Sequence, residues 1–183
     1  MPLTDNFNTI PEWNHLWKTT GYRYPEEPTV TERKKAIANM IPAGASLLNI
    51  ASGASQILHF LQPGIKYVAL DFSLTALHFE KHPSICADVR HLPIKAGSFD
   101  YVIAMEILEH LDRPEQFIQN LLRIARKTVI FSVPDNRLTP QDTKWHLSTY
   151  TTHTLALLIK AASGRRDITI HKTELNLIAE VHK

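Results

Sequence analysis

Residues 87–111 read ADVRHLPIKAGSFDYVIAMEILEHL, and their order decides the fold. Asp88 closes a short apolar segment. Pro93 and Gly97 then punctuate a turn. Ser98-Phe99-Asp100 opens a run, Phe99 to Ala104, that is apolar almost without a break. Such a run is expected of a strand in a parallel sheet covered on both faces. It leads directly into Glu106-Ile-Leu-Glu-His-Leu, which puts titratable side chains at the carboxyl end of a buried strand.

Working outward, the same alternation repeats. Upstream, Ser46 to Ile50, Lys66 to Leu70 and Ser84 to Ala87 read as short strands, the last two closed by Asp71 and Asp88. Between them, Ser55 to Leu61 and a helix capped by Ser73 and running through Glu80 read as short helices. Thr29-Val-Thr-Glu32 has the form of a capping box opening a helix through Met40, and Pro42-Ala-Gly44 stops it. Downstream, the spacing predicts a helix from Pro114 to Arg126 with Phe117, Ile118, Leu121, Leu122 and Ala125 on one face. A strand follows from Lys127 to Val133, then a polar loop, then a helix from Thr152 to Ala162. Arg123, Arg126 and Lys127 read as a cationic cluster at a helix carboxyl terminus. The last two strands, Asp167 to His171 and Leu175 to Val181, are too close for a crossover helix and should pair as a hairpin. The expected fold is therefore α/β: a Rossmann-like, doubly wound, seven-stranded sheet, mostly parallel, with one antiparallel edge strand from the C-terminal hairpin. Ligands of such sheets bind beyond the carboxyl ends of the strands.

Composition narrows the function. A chain of 183 residues, 44% hydrophobic and 21% charged, is about one globular domain. A net charge of +2 gives no reason to expect nucleic acid. Cys86 is the single cysteine, so an intrachain disulfide and a thiolate metal cluster are both excluded. No apolar run is long enough for a bilayer, and no signal-peptide pattern follows Met1, so a cytoplasmic protein without membrane contact is expected. The ten histidines show no metal-ligand spacing; His78 and His82 are the nearest pair, and no metal is expected.

The stretch from Asp88 through Glu106-Ile-Leu-Glu-His-Leu resembles the middle of the class I S-adenosylmethionine-dependent methyltransferases, type 11 group. The resemblance extends from about Leu47 to Ala162. It implies S-adenosylmethionine as cofactor and transfer of its methyl group to an acceptor. It also implies roles for particular residues. The glycine-rich loop after the first strand corresponds to Asn49-Ile-Ala-Ser-Gly-Ala-Ser55, where Asn49 replaces an acid, Ala51 and Ser55 replace the outer glycines, and Gly53 is kept. Asp71 is then placed to accept the ribose hydroxyls, Phe72 and Val89 to cover the adenine, Asp88 to accept from its amino group, and Met105 to sit beside the reacting centre. Independently of the family, an acid about 20 residues past a glycine turn suits a nucleoside cofactor, nicotinamide dinucleotides included.

Glu106, Glu109 and His110 fall at i, i+3 and i+4 and share a face if the segment makes a helical turn. With His146 in the loop after the fifth strand, Glu106 and His110 are the candidate catalytic residues, acting as general bases or shaping the pocket. Residues 1–28 form an N-terminal segment in which Trp13, Trp17, Tyr22 and Tyr24 would make a lid or a packing helix; residues 29–183 form the methyltransferase domain. A small-molecule or lipid-like acceptor is expected, and the oligomeric state is open, a homodimer being one option. The degenerate glycine loop keeps a rival reading alive: a methyltransferase-like protein that binds or regulates a partner without catalysis. A nicotinamide-dependent oxidoreductase is disfavoured by the missing outer glycines.

Overall fold

The computed structural model describes residues 8–19, 28–54, 56–79, 81–136, 145–165 and 167–183. Helix α1 (Ile10–Thr19) and helix α2 (Pro28–Asn39) precede strand β1 (Ser46–Ile50). A 3-10 turn (Gln56–Phe60) leads to β2 (Lys66–Asp71), a single-turn helix α3 (Leu74–Leu77) and β3 (Ser84–Cys86). Strand β4 (Phe99–Met105), a second 3-10 turn (Leu108–His110), α4 (Pro114–Ile124), β5 (Ala125–Pro134), α5 (Thr152–Ser163), β6 (Ile168–Lys172) and β7 (Asn176–His182) complete the chain. Among the described residues, no helix is long and apolar enough to cross a membrane.

The seven strands among the described residues lie in one sheet, in the order β3-β2-β1-β4-β5-β7-β6. Strands β1 to β5 pair in parallel, and β7 pairs antiparallel with both β5 and β6. The expected sheet is thus observed, with one refinement: the antiparallel strand is the inner member of the edge hairpin, and β6 is the edge itself.

Alternation along the strands builds two cores, because successive side chains leave opposite faces. On one face Leu48, Ile50, Val102 and Ala104 pack against α4 and α5 through Phe117, Leu121, Leu155 and Ile159. On the other, Leu47, Ala69, Ile103, Ile130 and Ile178 pack against Ile37, Ile41 and Ile57. Both faces of β4 are covered, which is why its sequence reads as one apolar run. Pro114 suits the first turn of α4, where its missing N–H costs no hydrogen bond. Helix α5 is closed at both ends: Thr151 and Thr154 cap each other's backbone, and Gly164 adopts φ +66° at the exit.

Some local expectations fail for tertiary reasons. The capping box at Thr29 is not used; α2 starts at Pro28, and Glu32 instead accepts the Glu174 backbone N–H at 3.2 Å. Helix α4 ends at Ile124, so Arg126 and Lys127 belong to β5. There Arg126 reaches Asp100 (3.2 Å), the Gly97 carbonyl (2.9 Å) and Ser46 Oγ (2.9 Å). A strand-borne cation clamping the amino ends of β1 and β4 replaces the expected helix-end cluster. The expected end of α3 at Glu80 lies outside the described residues, and the helix itself ends at Leu77.

Candidate active site

Strand β1 has β2 on one side and β4 on the other, so chain order reverses between β1 and β4. A cavity of about 590 Å³ opens beyond the carboxyl ends of these strands. Ala51, Gly53, Asp71, Phe72, Asp88, Val89, Met105, Glu106, His110 and His146 all line it. Asn49 does not: it is fully buried on the α2 side of the sheet and donates through Nδ2 to Tyr67 Oη at 3.0 Å. Ser55, Tyr22 and Tyr24 lie outside the described residues.

The loop after β1 keeps its turn geometry without its outer glycines. Gly53 takes φ +53°, and Ala51 takes φ +53° as well, despite its Cβ. The Gly53 N–H donates to Asp71 Oδ2 at 2.9 Å, and the Ser73 N–H donates to Oδ1 at 2.8 Å. These bonds aim Asp71 from the end of β2 back across the loop. Burial raises the Asp71 pKa above the ordinary carboxylate value, opposed by the N–H groups of Ser73, Gly53 and Phe72. Asp88 is held differently. The Arg90 Nε lies 3.0 Å from both its oxygens, and this hydrogen-bonded guanidinium lowers its pKa.

Helix α1 lies across this end of the sheet. A Cβ on Gly53 would stand 2.7 Å from two ring carbons of Trp17, so the indole rests directly on the loop. Trp13 meets the His110 ring edge-on at 5.4 Å and Trp145 at 5.5 Å. Ser73 Oγ donates to Asn14 Oδ1 at 2.6 Å, and Asn8 Nδ2 donates to the carbonyls of His110 (3.2 Å) and Trp145 (3.0 Å). No residue of α1 is fully buried, so the helix is attached by edge contacts rather than by a core.

Glu106 leaves β4 with φ +51°, outside the 3-10 turn, so the expected single helical face for Glu106, Glu109 and His110 does not form. Its carboxylate is held from three sides: Ser132 Oγ donates at 2.9 Å, Asn176 Nδ2 at 3.2 Å, and the Arg33 guanidinium pairs at 2.9 Å. Arg33, Ser132 and Asn176 come from α2, β5 and β7, and none was legible as a site residue. Lys34, buried on α2, donates to Gln56, and both line the same cavity.

Glu109 is buried within the turn, and its Oε2 has no hydrogen-bond partner among the described residues. Burial, reinforced by the nearby Glu106 charge, pushes its pKa well up. Its backbone carbonyl accepts the N–H groups of Leu147 (2.7 Å) and Ser148 (3.2 Å). That pinning brings His146 onto His110, ring centroids 5.0 Å apart. His110 Nδ1 lies 2.8 Å from the Trp145 carbonyl. Burial holds the His110 pKa down to about 4 and lowers that of His146, so both rings are neutral near pH 7.

A sheet of this topology, with its cavity at the strand order reversal, is that of the Rossmann-like methyltransferases. Residues 48–133 match the methyltransferase domain family of type 11. Norajmaline N-methyltransferase of Rauvolfia serpentina is 38% identical over 56 residues, which span 29% of this chain and only 19% of that enzyme. Among solved structures, the methyltransferase in complex with the Haloferax volcanii activator Trm112 superposes with a TM-score of 0.71 at 14% identity, covering 97% of this chain and 95% of that one. A SAM-dependent methyltransferase from Thermotoga maritima superposes with a TM-score of 0.70 at 16% identity, covering 99% of this chain and 100% of that one. One from Archaeoglobus fulgidus gives 0.69 at 14% identity, covering 84% and 94%. A little under half of the chain, residues 48–133, thus matches the type 11 methyltransferase domain, and the sheet as a whole has the fold of S-adenosylmethionine-dependent methyltransferases.

Proposed function

We propose that the chain is an active methyltransferase that passes a methyl group from S-adenosylmethionine to a small acceptor entering the cavity beside Glu106, His110 and His146. The hydrogen bond from Gly53 N–H to the buried Asp71 carboxylate carries this reading, because it retains the loop geometry that two missing glycines put in doubt.

The cradle fits the cofactor. Gly53 provides a site where backbone can be closely approached, since any Cβ would collide with what lies over it. Asp71 Oδ2 accepts the Gly53 N–H and Oδ1 the Ser73 N–H, and a carboxylate's remaining acceptor capacity is available to a ribose hydroxyl. Phe72 and Val89 offer apolar walls for a purine. Asp88 would reach the purine amino group by sharing its oxygens with Arg90. The bound sulfonium supplies an intrinsically electrophilic methyl group. The protein's work is then to align the acceptor and exclude water. Trp13 and Trp17 suit the second task, because α1 covers the cavity as a lid. Trp17 rests on Gly53, so a ligand seated against this loop would require α1 to shift. Glu106 is too firmly held to act as a free base; it fixes Arg33 and the β4 exit instead.

Calorimetric titration with S-adenosylmethionine and S-adenosylhomocysteine tests this. Binding of both, lost in Asp71→Ala, is the expected result. Folded protein that binds neither sinks the proposal.

A further inference from the structure

We propose that Glu109, His110 and His146 form a site for a divalent first-row metal ion, whose open coordination positions take an oxygen of the methyl acceptor. The acceptor half of this proposal rests on the methyltransferase reading; the metal half does not.

One ligand atom from each of the three residues lies within 4.8 Å of the others, and Glu109 Oε1 stands 3.9 Å from His110 Nε2. Two ligand atoms on a tetrahedral zinc are about 3.4 Å apart, given bond lengths near 2.1 Å. The Glu109–His110 pair therefore needs to close by about half an ångström, and no pair in the cluster by more than about 1.4 Å. The tautomer of His110 is set by geometry. A carbonyl oxygen only accepts, so the Trp145 carbonyl fixes the proton on Nδ1 and leaves Nε2 with a bare lone pair facing Glu109. A backbone carbonyl behind the far nitrogen is the arrangement that orients metal-bound histidines.

The independent sign is Glu109 itself. Its side chain is 2% exposed, and Oε2 meets no donor among the described residues. A carboxylate buried with one oxygen lacking a donor is costly, and a cation bound at its other oxygen, Oε1, which faces His110 Nε2, would offset that cost by neutralising the charge. Two imidazoles and one carboxylate suit zinc and its first-row neighbours. Three protein ligands leave positions open, and all three residues line the cavity. A coordinated hydroxyl would be acidified there. Its proton leaves to solvent, its oxygen forms the new O–CH₃ bond, and the S–CH₃ bond breaks with its electron pair returning to sulfur. S-adenosylhomocysteine is the leaving thioether.

Cobalt(II) chloride is the probe, since its visible absorption reports ligand type and geometry. Chelator-treated full-length protein should bind one cobalt with saturable bands. His110→Ala, His146→Ala and the near-isosteric Glu109→Gln should each weaken that binding by at least about tenfold. All three should keep the wild-type circular dichroism. Absence of cobalt bands, or bands that survive all three substitutions, while S-adenosylhomocysteine still binds, overturns the metal site and leaves the methyltransferase reading intact. Cobalt binding with no binding of either adenosyl ligand overturns the acceptor half instead.

Discussion

Asp71 and Asp100 sit at opposite ends of the same sheet, and both accept backbone N–H groups, yet their surroundings push them in opposite directions. Asp100, at the amino end of β4, accepts from the Ser46 N–H (3.1 Å) and Oγ (2.9 Å) and faces Arg126 and Lys127. The Arg126 guanidinium, aided by Ser46, holds its carboxyl far below the ordinary range. Asp71, at the carboxyl end of β2, is 6% exposed and meets no cation among the described residues; burial raises its pKa. One end of the sheet is electrostatically settled. The other holds a desolvated carboxylate, a buried Glu109 oxygen without a donor among the described residues, and the positive-φ residues Ala51 and Glu106. Unsettled polar groups and strained backbone persist where the rest of the fold over-determines them, and here Asp71, Glu109, Ala51 and Glu106 border one cavity.

Substitutions that separate binding from stability sharpen this contrast. The largest effect is expected at Asp71. Asp71→Asn removes a charged hydrogen-bond acceptor and should weaken S-adenosylhomocysteine binding by about 10–100-fold, measured by calorimetry. Asp100→Ala should do the reverse: lower unfolding stability by about 1–3 kcal/mol in a denaturant titration while leaving that affinity unchanged. Equal loss of cofactor affinity in both variants would erase the distinction between the two ends.

The same pair predicts a pH signature. A carboxyl whose pKa is depressed on folding contributes stability above its unfolded pKa and loses it as pH falls through the folded value. Asp100 therefore stabilises fully above about pH 4 and progressively less below it. Denaturant midpoints should fall more steeply on acidification in the wild type than in Asp100→Asn. Asp71, with its raised pKa, contributes the opposite slope, so Asp71→Asn should gain relative stability as pH rises past the ordinary carboxylate range. The smallest effect is at Ala51. A left-handed alanine costs roughly 1–2 kcal/mol, partly offset in Ala51→Gly by the looser unfolded chain. A net gain of up to about 1 kcal/mol is expected in thermal or denaturant unfolding.

Much of this was readable along the chain. Strand–helix alternation, the continuous apolar run of β4 and the acids closing the short strands are local patterns, set by side-chain periodicity and by where a strand must meet solvent. They located the strand ends beyond which the cavity opens, and the family resemblance pointed to its cofactor-side lining. Parity could have excluded Asn49: it shares a face with Leu47, not with Leu48 and Ile50, and so points into the α2 core. The partners of Glu106 were not readable, because Arg33, Ser132 and Asn176 reach it from three elements distant in sequence. Nor was the boundary of α4, which ends early because Arg126 is drawn into β5 by Asp100 and Ser46.

The sequence by itself determined the order of elements, the doubly wound sheet and the end of it that carries chemistry, since these follow from periodicity and from short-range turn chemistry. Tertiary structure alone decided which side chains meet. His146 reaches His110 because Leu147 and Ser148 hydrogen-bond to the Glu109 carbonyl, and Trp17 covers Gly53 because α1 is anchored at Asn8 and Asn14. Contacts of that kind depend on where separate elements dock, and docking is settled by packing and long-range hydrogen bonds rather than by spacing along the chain.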